Sequence, residues 1–144
     1  MTHNPADHAK SLLKSGRFSE VRNIFEHIAA DLTKKRGRSH LETLTALSNL
    51  EVAAYHQGDL TTARELQEFV LKERENQLGA NRDETLSAMG NLAWTLNAAG
   101  QHQQAISAFK SIYSRIKRTR GDRDKATLSA TENLASAAIG SLSI

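Results

Sequence analysis

Six histidines, His3, His8, His27, His40, His56 and His102, are the residues best suited to proton transfer or metal ligation. None of them forms an i, i+4 pair with another, and no H-E-x-x-H is present, so a metal site would need long-range assembly. With no cysteine in the chain, disulfides, thiolate nucleophiles, iron–sulfur clusters and Cys-based zinc sites are excluded. Glycine-rich phosphate loops and the G-x-S-x-G elbow of serine hydrolases are also missing. What remains is non-covalent chemistry: three asparagines at equal intervals (Asn49, Asn91, Asn133), one tryptophan (Trp94) and two basic runs. An amide side chain offers both a donor and an acceptor, so it can pair with an extended peptide backbone whatever its sequence. These residues suit recognition better than catalysis, and no enzyme activity, cofactor or metal is expected.

The chain that carries them has 144 residues, 39% hydrophobic and 24% charged, enough for one domain with a core. One proline and seven aromatics (one Trp, two Tyr, four Phe) favour an all-α fold over a β-sandwich or barrel. No apolar run approaches 18 residues, and the N-terminus lacks the apolar core of a signal peptide, so a cytoplasmic protein is expected. The formal net charge of +3 keeps nucleic acid in view without arguing for it.

The asparagines belong to a larger periodicity. Gly16, Gly58 and Gly100 are 42 residues apart, as are Gly37, Gly79 and Gly121. Thr43, Thr85 and Thr127 keep the same interval, with Leu44, Leu86 and Leu128, Ala46, Ala88 and Ala130, and Leu50, Leu92 and Leu134. Apolar residues at helical spacing precede each glycine, such as Leu44, Leu47, Leu50 and Ala54 before Gly58. Each glycine then stands where a left-handed C′ residue ends a helix, and Asp59 is a candidate N-cap for the next. The predicted helices are 5–15, 17–36, 41–57, 59–78, 83–99, 101–119 and 125–140. They form a single domain, 1–144, of repeats at about 1–37, 38–79 and 80–121 with a partial unit at 122–144. The last helix has no following partner, so Leu128, Leu134, Ala138 and Ile139 are shared between the core and solvent. A weak homodimer or a frayed C-terminus is expected from that.

The recurring T-L-x-A-x-x-N-L followed by a glycine, then a helix with a central alanine, resembles the tetratricopeptide repeat. The 42-residue interval resembles its kinesin light chain type. The stretch DETLSAMGNLAWTLNAAGQHQQAISAF is the nearest to the pattern. Gln67 departs from it, standing where Phe25 and Phe109 stand in the other repeats, and so does Glu51, which replaces a small residue. The resemblance implies an α-α superhelix that binds a peptide or protein in a concave groove lined by the first helix of each pair.

Turning those first helices at 100° per residue opposes a polar stripe to the core side. It holds Asn49, Val52 and Tyr55 on the second pair, Ser87, Gly90, Asn91, Trp94 and Asn97 on the third, and Ser129 and Asn133 on the last helix. Lys10 and Lys14 sit on the first and would favour an acidic group. Groove asparagines hold bound peptides in proteins the chain resembles; an asparagine at a helix seam can equally fix the stacking of repeats. Trp94 reads either as an exposed anchor, whose loss would weaken binding without loss of stability, or as a packed residue. Basic runs close two of the longer helices: Lys34, Lys35, Arg36 and Arg38, then Arg115, Lys117, Arg118, Arg120 and Arg123. Cations at helix C-termini complement the dipole. Without interleaved aromatics a nucleic-acid adaptor is not favoured, and Arg118 and Arg120 are read as an outer edge. A self-associating scaffold is the other alternative.

Overall fold

The structure, a computed structural model, describes residues 5–141, with side chains described over 8–139. Among the described residues seven α-helices follow one another: α1 (Pro5–Lys14), α2 (Phe18–Arg36), α3 (Leu41–His56), α4 (Leu60–Leu78), α5 (Asp83–Ala98), α6 (His102–Arg120) and α7 (Lys125–Ser141). No strand occurs among the described residues. The helix ends lie within one residue of those read from the periodicity, because the turns that set them are encoded locally.

Three of those turns are the same object. At Gly58, whose φ is 81°, the glycine N–H donates to Tyr55 O (3.0 Å) and the Asp59 N–H to Ala54 O (2.9 Å). Gly16 and Gly100 repeat both bonds with Leu13 and Leu12, and with Asn97 and Leu96. The pair of bonds satisfies carbonyls that the ending helix leaves unpaired, and the positive φ it needs is adopted at little cost only by glycine, which has no Cβ. Asp59 then caps α4, its Oδ1 accepting from Thr62 N–H at 3.2 Å.

The other three turns explain the threonine interval. Thr43 Oγ1 donates to Gly37 O (2.8 Å), Thr85 Oγ1 to Gly79 O (2.8 Å) and Thr127 Oγ1 to Gly121 O (2.7 Å). All three threonines are buried. Each ties the first turn of one helix to the glycine that ended the helix before it.

The chain divides into two compact units, Met1–Leu66 and Gln67–Ile144. In the first, α2 packs against α1 and α3, burying Ala9, Leu12, Val21, Phe25, Ala29 and Leu44. A polar clamp crosses it: Arg22 reaches Gln57 Oε1 (3.0 Å) and Asp59 Oδ2 (2.9 Å), while Gln57 Nε2 donates to Ser19 Oγ (3.0 Å). The Phe18 ring stacks on His56 with centroids 4.8 Å apart. In the second unit α6 packs against α5 and α7 around Met89, Ala93, Leu96, Phe109, Ile112 and Ile116. On α7, Leu134 packs on that core, whereas Leu128 and Ile139 stay 55% and 65% exposed.

The two departures from the repeat pattern are buried. Gln67 is 3% exposed, as Phe25 and Phe109 are at 4% and 1%, and its Oε1 has no hydrogen-bond partner among the described residues. Glu51 is buried as well.

Candidate functional site

The second unit holds an open groove of about 550 Å³ between α5 and α7. Ser87, Gly90, Asn91 and Trp94 form its α5 wall, spaced by three or four residues so that they share one helical face. Ser129 and Asn133 form the α7 wall with Ala126 and Ala130. The floor is apolar, made by Leu86 of α5 and by Ile112 and Ile116 of α6. Asp83 and Arg120, joined by an ion pair, also line it. Gly90 leaves this floor uncovered: a Cβ there would meet only Ile112 Cδ1, at 3.9 Å.

The polar stripe expected on α5 and α7 is thus assembled in one place, with Asn91 exposed and Asn133 half-buried. The amide of Asn133 makes no hydrogen bond to a described residue and is available to a ligand; Asn91 already has an interaction within the protein. Trp94 is half-buried, and its ring meets Phe109 of the core edge-on with centroids 4.9 Å apart. Trp94 thus combines the two readings open to it, anchor and packed residue: its ring lines the groove and rests on the core. Asn97 is half-buried and lies outside the groove lining, accepting at Oδ1 from His102 Nδ1 (2.6 Å) across the α5–α6 turn.

In the first unit Asn49, Val52 and Tyr55 are half-buried on one face of α3, with Tyr55 edge-on to His56 at 5.4 Å. Lys10 and Lys14 of α1 are exposed.

Arg120 is a correction to the sequence reading. Expected on an outer edge with Arg118, it instead lines the groove and pairs with Asp83, while Arg118 lies on the opposite side of α6. The floor residues Ile112 and Ile116 also escaped the sequence reading. They come from the second helix of a pair, and their interval of four marks a core face without telling which part of it Gly90 leaves open.

Among the described residues no three His, Asp or Glu groups converge as a metal site, and no helix is long and apolar enough to cross a membrane. Helix pairs on a 42-residue interval, with a polar-rimmed groove between successive first helices, define an α-solenoid repeat protein. A tetratricopeptide repeat family model matches residues 51–118, just under half of the chain. Its fold is that of kinesin light chain-like repeats. The nearly identical TPR-like repeats of a kinesin light chain-like protein from Podosopora anserina superpose with a TM-score of 0.85 at 21% identity, over 96% of this chain and 69% of that one. BtubC (BKLC) from P. vanneervenii superposes with a TM-score of 0.77 at 17% identity, over 94% of this chain and 53% of that one. No curated protein sequence matches the chain significantly.

Proposed function

We propose that the chain is a non-enzymatic interaction module that holds a peptide or protein segment in the groove between α5 and α7. The tetratricopeptide fold is a general protein–protein interaction module, and the groove is the observation that carries the reading here. Its apolar floor offers a ligand side chain burial worth about 25 cal/mol per Å². The Asn91 and Asn133 amides on its two walls can pair with the ligand's main chain, each bond contributing about 0.5–1.5 kcal/mol. In this reading Trp94 adds buried area and Asn97 a further polar contact, and Asn49, Val52, Tyr55, Lys10 and Lys14 are contact residues of the first unit by itself.

Affinity capture with quantitative mass spectrometry tests it, comparing the wild type with Asn133→Ala and with Gly90→Leu, which fills the floor. Proteins held through the groove are depleted by both variants. A set of captured proteins unchanged by either variant would reject the groove as the binding surface. A second reading, self-association, is favoured by the exposed Leu128 and Ile139 on α7. Sedimentation at increasing concentration distinguishes it, since Ile139→Ser would then abolish a dimer and leave groove binding intact.

A further inference from the structure

The side of α6 opposite the groove has a charge pattern that the groove does not explain and that the helix dipole explains only in the last turn. Helix α6 carries five basic residues, Lys110, Arg115, Lys117, Arg118 and Arg120, and no acidic one. The comparable helices are mixed: α2 has four basic and three acidic residues, α4 three basic and four acidic. Three of the five α6 cations are engaged. Arg115 donates to Ala80 O (3.1 Å), Arg120 pairs with Asp83, and Lys117 lies 3.5 Å from Asp122 and over the Tyr113 ring, 5.7 Å from its centroid. Asp122 and Tyr113 together hold the Lys117 ammonium above its ordinary range.

Lys110 and Arg118 are different. Both are exposed, and neither forms an ion pair or hydrogen bond with a described residue. They stand on one face with Ser114 between them, at intervals of four, and Lys110 lies mid-helix where the dipole no longer favours a cation. Beside Arg118 the surface is concave, about 550 Å³, lined by Tyr113, Ser114, Lys117, Gly121 and Asp122.

We propose that this outer face of α6 is a second docking surface, for an extended acidic segment of a partner protein. Steps of four residues advance about 6 Å along a helix, and same-face side chains of an extended chain recur every 6.4–6.8 Å or about that. Alternate carboxylates of such a segment can therefore meet Lys110, Ser114 and Arg118 in register. A nucleic acid fits less well, since the one aromatic in the concavity, Tyr113, has its face covered by Lys117.

The probe is a fluorescein-labelled peptide of six Glu-Ser repeats, followed by anisotropy against the full chain at low and at moderate salt. The expected result is salt-sensitive binding that Lys110→Glu/Arg118→Glu weakens about tenfold or more. Lys34→Glu/Lys35→Glu on α2, the same change in formal charge, should leave it within about twofold. Lys110→Gln/Arg118→Gln, with helicity checked by circular dichroism, should lie between wild type and the α6 reversal. Equal weakening by the α2 and α6 reversals would overturn the proposal, as would no binding of the peptide at low salt. Tighter binding of a thymidine oligonucleotide of about the same charge would overturn it in favour of nucleic acid.

Discussion

Thr85 is a small residue with a large structural duty. Its hydroxyl satisfies the Gly79 carbonyl from a fully buried position. Thr85→Val keeps the shape and removes the donor, which leaves that acceptor unpaired at a cost of about 1–3 kcal/mol. Urea unfolding should show the loss, and Thr85→Ser should recover part of it. Gln67 argues in the opposite direction. Among the described residues its buried Oε1 lacks a partner, in a position that phenylalanine fills elsewhere, so Gln67→Met should raise stability by about 1 kcal/mol. A destabilised Gln67→Met would show that the amide is needed where it is. Trp94 combines both roles: Trp94→Ala should lower the melting temperature, whereas Trp94→Phe should keep most of the packing on Phe109. Binding that survives Trp94→Phe and fails in Gly90→Leu would place the recognition on the floor rather than on the ring.

At the scale of the element, the glycines differ by position and not by type. Gly100 has φ 83° in the turn between α5 and α6, where a β-branched side chain is strained whatever the space around it. Gly100→Val should cost about 1 kcal/mol or more. Gly90 lies inside α5 with only Ile112 near its missing Cβ, so Gly90→Ala should stabilise the helix by up to about 1 kcal/mol. Differential scanning calorimetry on the two variants separates the cases by sign. Asp59 gives the turn between α3 and α4 a pH dependence. The Thr62 hydrogen bonds, then Arg22, hold the Asp59 carboxyl below its ordinary 3.8. A depressed carboxyl stabilises the fold above its unfolded-state value and loses that contribution as pH falls through the folded-state value. Asp59→Asn should therefore be less stable than wild type near neutral pH, and the two melting curves should converge below about pH 4.

For the molecule as a whole, circular dichroism should report a chain dominated by helix, far above the roughly one-third of an average domain. Contacts in repeat proteins run mainly between neighbours, so cooperativity depends on the strength of each successive interface. A single domain over 1–144 should melt in one transition with a calorimetric to van't Hoff ratio near unity. Two separated transitions would instead mark the units Met1–Leu66 and Gln67–Ile144 as independent.

Local chemistry explains how much of this was readable beforehand. A glycine that must adopt positive φ, an aspartate that caps the next helix and apolar residues at helical spacing each act within a few residues of the chain. Their 42-residue recurrence therefore makes the seven helices of the described residues and their ends legible in the sequence. The stripe of Ser87, Asn91, Trp94, Ser129 and Asn133 was legible for the same reason, since a helix face follows from spacing alone. Tertiary packing decided the rest. That Trp94 rests on Phe109, that Ile112 and Ile116 floor the groove, and that Arg120 joins the groove while Arg118 faces away depends on how α5, α6 and α7 meet. The contacts among α5, α6 and α7 join residues 15 or more positions apart, as Trp94 and Phe109 are, and spacing along one helix carries no record of the neighbour that its face will find.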